Sequence, residues 1–204
     1  MSTPDMPSPS RRLSRDERRR QLLAVAREIV RDEGSEALTL GHLAQRAGVS
    51  KPIPYDHFGS RTGLLAALYR AYDDRQNARM AEAMAAAPPE LESQAAVIAG
   101  SYVECVVTQA SEIPGVSAAL SGSAELEAIR LNYESGFMER VRMALARFSP
   151  TGEIGLPALR SILGAAEALS FAAVRNEISQ TEAASELSAA IADAVRRMPG
   201  GSNA

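Results

Sequence analysis

Few side chains in this 204-residue chain could do bond-making chemistry, and those few are unevenly placed. Its two histidines are His42 and His57, its one cysteine is Cys105, and Lys51 is the sole lysine beside 21 arginines. Two imidazoles and one thiol cannot assemble a zinc cluster or a disulfide framework, and Cys105 lies far along the chain from either imidazole. No catalytic or metal site is predicted, and no cofactor. What the chain does concentrate is hydrogen-bond donors and small hydroxyls. Thr39, His42, Ser50, Lys51, Tyr55, His57 and Arg61 all fall within 23 positions. Such groups suit phosphate oxygens, which accept from hydroxyl, imidazole and cationic donors and from free amides at helix N-termini.

The elements that must carry them read as short, tightly punctuated helices. Ser14 can cap a helix with Leu22, Val25, Ala26, Ile29 and Val30 at helical spacing, ending at Gly34. Thr39 caps a second with Leu40, Leu43 and Ala44 inward. Gly48-Val49-Ser50 then turns the chain, with glycine free to take a positive φ, Val49 filling the space between helices and Ser50 capping the third. Two helices of about eight residues bury too little to stand alone, so the first must brace them. This is the physics of a helix-turn-helix, whose second helix can enter a DNA major groove, although plain helical bundles use the same turn. Pro52 and Pro54 should push Lys51 and Ile53 out of helical geometry, giving a regular helix only from about residue 53.

Charge follows the same division. The net −3 sums to +3 over residues 1–61 and −6 over 62–204, and residues 11–31 alone carry eight Arg against three acids. A basic footprint on an acidic body fits a modular DNA binder, while a solvated helix face is the plainer reading of any charge run. Arg11, Arg12 and Arg15 could reach an adjacent minor groove.

Thr39-Leu40, Leu43-Ala44, Ala47-Gly48-Val49-Ser50, Tyr55-Asp56-His57-Phe58 and Leu64-Leu65 together resemble the DNA-binding domain of the tetracycline-repressor (TetR) family over about residues 14–65. The resemblance implies that Tyr55 and His57 grip the DNA backbone, that Arg61 is a further phosphate contact, and that the remainder of the chain binds a ligand and dimerises. Gly41 is an empty position where many relatives carry a DNA-reaching side chain. Base reading would then shift to Lys51, Pro52, Ile53 and Asp56. Pro54 departs from the family's usual Leu or Thr.

Beyond residue 61 the helices lengthen. Leu126, Ile129, Tyr133, Phe137, Val141, Leu145 and Phe148 recur at steps of three or four, and two further helices are predicted at 157–177 and 181–198. Tyr102, Cys105, Tyr133, Phe137, Met138 and Phe171 could line a pocket between them, or simply form core. Glu104 and Glu167 each sit in a largely apolar stretch, as surface groups or as polar groups in a pocket. Ser161, Gly164, Ala165, Ala168 and Ala172 give one helix a face of small residues, and the resemblance implies that the last two helices pair with their symmetry mates.

The predicted fold is therefore all-α with about nine helices: an arm at 1–13, a DNA-binding domain at 14–61, and a ligand-binding and dimerisation domain at 62–204. The longest uncharged stretch, residues 113–124, is interrupted by Pro114, Gly115 and Gly122 and falls short of the ~18 apolar residues of a membrane span. No secretion signal opens the chain, so a cytoplasmic location and no membrane partner are expected. The function expected is a homodimeric regulator that binds double-stranded DNA at a near-palindromic operator, a repressor released by a small molecule. A helical carrier or enzyme without a DNA role, and a DNA binder without a ligand, are the alternatives.

Overall fold

A computed structural model describes residues 13–197. The predicted arm, with Arg11 and Arg12, lies outside the described residues apart from Leu13, as does Met198. Among the described residues there are nine α-helices and no strand. They are α1 (Arg15–Glu33), α2 (Leu40–Arg46), α3 (Pro52–Phe58), α4 (Arg61–Ala86), α5 (Leu91–Glu112), α6 (Val116–Leu120), α7 (Ala124–Leu145), α8 (Leu156–Val174) and α9 (Gln180–Arg196).

Local sequence accounts for most of these ends. Ser14 and Glu17 form a reciprocal capping box on α1, as do Ser179 and Glu182 on α9. The Thr39 hydroxyl accepts from the His42 amide at 3.1 Å, and Ser60 accepts from Gly63 at 3.0 Å. In the α2–α3 turn Gly48 takes φ +64°, and the Val49 amide reaches back to the Ala44 carbonyl at 3.0 Å.

The start of α3 differs from expectation. Lys51 is already helical (φ −50°, ψ −40°), Pro52 is the first helical residue, and no side chain caps the helix. The Ser50 carbonyl, not its hydroxyl, takes the Ile53 amide. The reason is that Pro52 and Pro54 occupy first-turn positions whose amides would lack intrahelical partners in any case. Two prolines there leave almost nothing to cap, so the first turn stays regular.

Two hydrophobic cores meet along α4. The first buries Leu22, Ile29, Leu38, Leu43, Phe58, Leu64, Leu65 and Leu68 from the N-terminal helices, but also Ile113, Val116, Leu120 and Ile129 from the region around α6. Each fully buried aliphatic side chain here is worth about 1.5–3 kcal/mol against exposure. The seat of α6 depends on Gly115. At φ +72° a side chain would be strained, and a Cβ would stand 2.7 Å from Ser35 Oγ. The second core joins α5, α7, α8 and α9 through Ala95, Ile98, Val141, Leu145, Ile162, Leu163, Leu187 and Ile191. Gln94, buried in the α4–α5 corner, donates to the Met84 and Pro88 carbonyls at 3.1 Å each.

α8 is a helix that a count of uncharged stretches passes over. With Arg160 and Glu167 inside it, this helix still reaches a mean hydropathy of 1.2 over a span-length window. Leu159, Ile162, Leu163, Ala166 and Ala173 face the second core. Leu156, Phe171 and Val174 are exposed, along with Ser161, Gly164 and Ala168. The helix ends at Val174, three residues before the predicted 177, where Asn176 turns the chain at φ +57°.

Candidate nucleic-acid interface and interior cavity

The short helices present two kinds of surface. On α3, Pro54 and Phe58 are buried, Phe58 within the first core, while Lys51, Pro52, Tyr55 and Asp56 are exposed, Tyr55 at 53%. Ile53, a predicted base reader, is half-buried and packs against that core. His57 lies in a cleft between the start of α1 and α3 lined by Leu13, Ser14, Arg15, Arg18, Ile53 and Asp56. Burial first, then Arg15 and Arg19, hold its imidazole below the usual histidine value, with Asp56 opposing. A neutral ring among arginines can donate one N–H to an anion, and an incoming phosphate would favour its protonation.

Several of the other donors are already engaged. His42 Nε2 is 2.9 Å from Glu33, which also pairs with Arg46, so this face of α2 is tied to the end of α1. The Arg61 guanidinium donates to the carbonyls of Leu38 at 3.0 Å and Ser35 at 2.8 Å and lies 3.3 Å from Glu36. It clamps the 3-10 turn Ser35–Ala37 to the start of α4. Arg19 was not singled out from the sequence. It donates to the His57 carbonyl at 3.2 Å and lies 5.1 Å over the Phe58 ring, fixing the end of α3. Nothing in its local pattern separates it from the neighbouring arginines.

A cavity of about 290 Å³ lies between the two cores, bounded by α4, α5, α7 and α8 and reached by Ser117 of α6. Tyr102, Cys105, Tyr133, Phe137 and Phe171 line it as their spacing suggested, and Glu167 does too. Two candidates do not belong. Met138 is absent from the lining and buried in the second core, since one step of about 100° from Phe137 turns it to another face of α7. Glu104 is exposed on α5.

The polar lining was missed altogether. Asp73, Gln76 and Arg140 reach the cavity, Asp73 and Gln76 only 9% and 8% exposed. Among the described residues Asp73 Oδ2, Gln76 Nε2 and Arg140 Nε have no hydrogen-bond partner. In sequence Asp73-Asp74-Arg75-Gln76 looks like a solvated face. Continuing the α4 stripe from Leu65 through Tyr69 and Asp73 to Gln76 and Met80 would have exposed the pattern.

Burial sets the electrostatics here. It raises the Asp73 carboxyl to about 7, helped by Asp74 and resisted by the Tyr133 hydroxyl and Arg140. Burial likewise lifts the phenols of Tyr69, Tyr72, Tyr102 and Tyr133 and pushes the Cys105 thiol up to about 12, so none is an anion near neutrality. A protonated Cys105 is no nucleophile. Tyr72 is fully buried, with its hydroxyl donating to the Cys105 carbonyl at 2.5 Å and sharing a hydrogen bond with Thr108 at 2.7 Å, which locks α4 to α5. Paired rings shape the walls, with Tyr102–Phe137 centroids 4.8 Å apart and Tyr69–Tyr133 6.2 Å apart. Among the described residues no group of His, Cys, Asp and Glu is placed to hold a metal.

Residues 22–68 match the family described as bacterial regulatory proteins, tetR family. Over 64 residues the chain is 52% identical to the HTH-type transcriptional activator FasR of Mycolicibacterium smegmatis, a match covering 31% of this chain and 29% of that protein. It is 33% identical over 85 residues to the HTH-type transcriptional regulator BetI of Rhizobium meliloti, covering 42% of each. The matches thus span under half the length of these curated relatives. A solved structure described as a TetR-family transcriptional regulator from Rhodococcus sp. superposes with a TM-score of 0.65 at 25% identity, covering 88% of this chain and 98% of that one. All three are named as regulators of transcription and none as an enzyme.

Proposed function

We propose that this chain, which carries the DNA-binding domain of the TetR family, is a homodimeric repressor that binds a near-palindromic operator and releases it when a small molecule fills the interior cavity. The observation that carries the reading is α4. One continuous helix has Arg61, Leu64, Leu65 and Leu68 on the DNA side and Asp73, Gln76 and Met80 in the cavity wall. A ligand wedged between α4 and α7 has differential contacts with any two tilts of α4, which is what a population shift requires.

In this reading α3 enters the major groove, with Lys51, Pro52 and Asp56 toward base edges and Tyr55, His57 and the capped helix starts at Thr39 and Ser60 toward phosphates. Arg61 acts as a positioning residue, since its guanidinium holds the turn before α2. The exposed small-residue faces of α8 and α9, with Gly164, Ala168, Ser185 and Ala189, pair with their symmetry mates. A twofold dimer presents its two α3 helices about 34–36 Å apart. Such a protein works where the chromosome is, in the cytoplasm.

An activator is the second reading, favoured by the identity to FasR across the DNA-binding region. A mobility shift on the DNA flanking the chain's own gene tests the core claim. Binding should be sequence-specific and weaken steeply between about 50 and 200 mM salt, by roughly 10³-fold for six phosphate contacts. No specific complex at low salt refutes it, and a reporter driven from the same site separates repression from activation.

A further inference from the structure

We infer that the cavity takes an apolar or aromatic monocarboxylic acid together with one proton, the ligand carboxylate accepting from Gln76 Nε2 and Arg140 Nε while Asp73 holds the proton and donates it to the same group. This rests on the proposed effector role of the cavity and names the chemistry that fills it.

Three unpartnered buried polar atoms, two donors and one carboxyl oxygen, belong to residues that line one cavity. Asp73 and Gln76 are one turn apart on α4, both more than nine-tenths buried, and Arg140 comes from α7 opposite. Among the described residues no ion pair joins Asp73 to Arg140. A buried donor left unpaired is costly, so a ligand that completes all three is strongly selected. An amine would satisfy Asp73 alone, leave Gln76 Nε2 bare and face the Arg140 cation. A carboxylic acid offers two oxygens to the two donors and shares one proton with Asp73.

Charge balance requires that proton. Around Asp73 stand Asp74 on its own helix, Tyr102 and Cys105 from α5, Tyr133, Glu134 and Arg140 from α7, and Glu167 from α8. The phenols and thiol are neutral. Glu134 pairs with Arg160 at 3.0 Å, leaving Arg140 as the cation of the lining against Asp73 and Glu167. A bare anion would add negative charge to a largely buried site, whereas an anion with a proton does not. Asp73 can supply the proton site because its folded value is about 7. The remaining lining is apolar or aromatic, including Met80, Leu126, Phe137 and Leu163, and the volume suits a compact ligand.

The test is calorimetric titration of the full-length protein with octanoate and 4-phenylbutyrate, each against its matched amine and primary amide, from pH 6 to pH 9. Carboxylates should bind tightest, with uptake of about half a proton at pH 7 seen by comparing buffers of different ionisation heat. Their affinity should fall about fifty-fold between pH 7 and pH 9, as the protonated fraction of Asp73 falls. In Asp73→Asn, whose amide donates at every pH, that slope should vanish while binding persists. Preference for the amines, affinity that rises with pH, or no carboxylate binding at pH 6 and millimolar ligand overturns the inference. Mobility shifts run in parallel separate the two readings. Release of DNA by an amine would keep the regulator and sink the acid, whereas carboxylate binding by a protein that ignores DNA would sink the regulator alone.

Discussion

Replacing Asp73 by Asn should make the protein more stable, and increasingly so as the pH rises. The carboxyl ordinarily ionises near 3.8 and is held at about 7 in the fold, with burial the first cause. Because the folded value is the higher one, the unfolded chain loses its proton first. Unfolding therefore releases a proton between those values, and stability contributed by the protonated form is lost progressively as the pH climbs through the interval. Integrating the two titrations gives a penalty of about 2 kcal/mol at pH 5 and about 4 kcal/mol at pH 8. Asn is close in shape to the protonated acid and has no such dependence. The stability gap between variant and native protein should thus widen by about 2–3 kcal/mol from pH 5 to pH 8. Urea unfolding at fixed protein concentration, at both pH values and for both proteins, measures it, and the other titrating groups cancel in the difference. A gap that stays constant to within about 0.5 kcal/mol would refute the assignment of Asp73 as a buried, destabilised carboxylate, and with it the proton site of the cavity.

Two other perturbations separate roles that the sequence merges. Arg61→Ala should lower stability by about 1.5–3 kcal/mol, through its charged hydrogen bonds to the Ser35 and Leu38 carbonyls. Tyr55→Phe, on an exposed ring, should leave stability unchanged and weaken operator binding in mobility shifts. Equal stability of the two variants would remove the clamp. Ala168→Glu sets a charge in the centre of the exposed α8 face and should convert a dimer to a monomer in sedimentation, with helical content by circular dichroism retained. A dimer that survives it would place the interface elsewhere.

The all-helical fold was legible because it is written in local signals. Ser14, Thr39, Ser60 and Ser179 are caps that act within one turn, and the 3.6-residue stripes of α1, α4 and α7 need no knowledge of their partners. The start of α3 departs from its sequence expectation because two proline rules compete there. The bias of a residue before proline yields to the tolerance of a helix's first turn for missing amides. The candidate site was half legible. Tyr102, Cys105, Tyr133, Phe137 and Phe171 are apolar enough to sit inside on spacing alone, but whether an inward residue meets a wall or a void depends on the neighbouring helix. Met138 meets the core.

By itself the sequence determined the succession of helices, the helix-turn-helix string, and the division of charge that turns a net −3 into a basic N-terminal third and an acidic remainder. These follow from interactions between near neighbours or from counting. Tertiary packing alone decided which donors are free and which are spent. It joined His42 to Glu33 and Arg61 to the turn before α2, seated α6 in the core of the N-terminal helices, and turned a polar run on α4 toward a cavity. The physical reason is that a polar side chain's role is set by what lies across from it. For Asp73, that is a phenol and a guanidinium from α7, a helix far along the chain from its own.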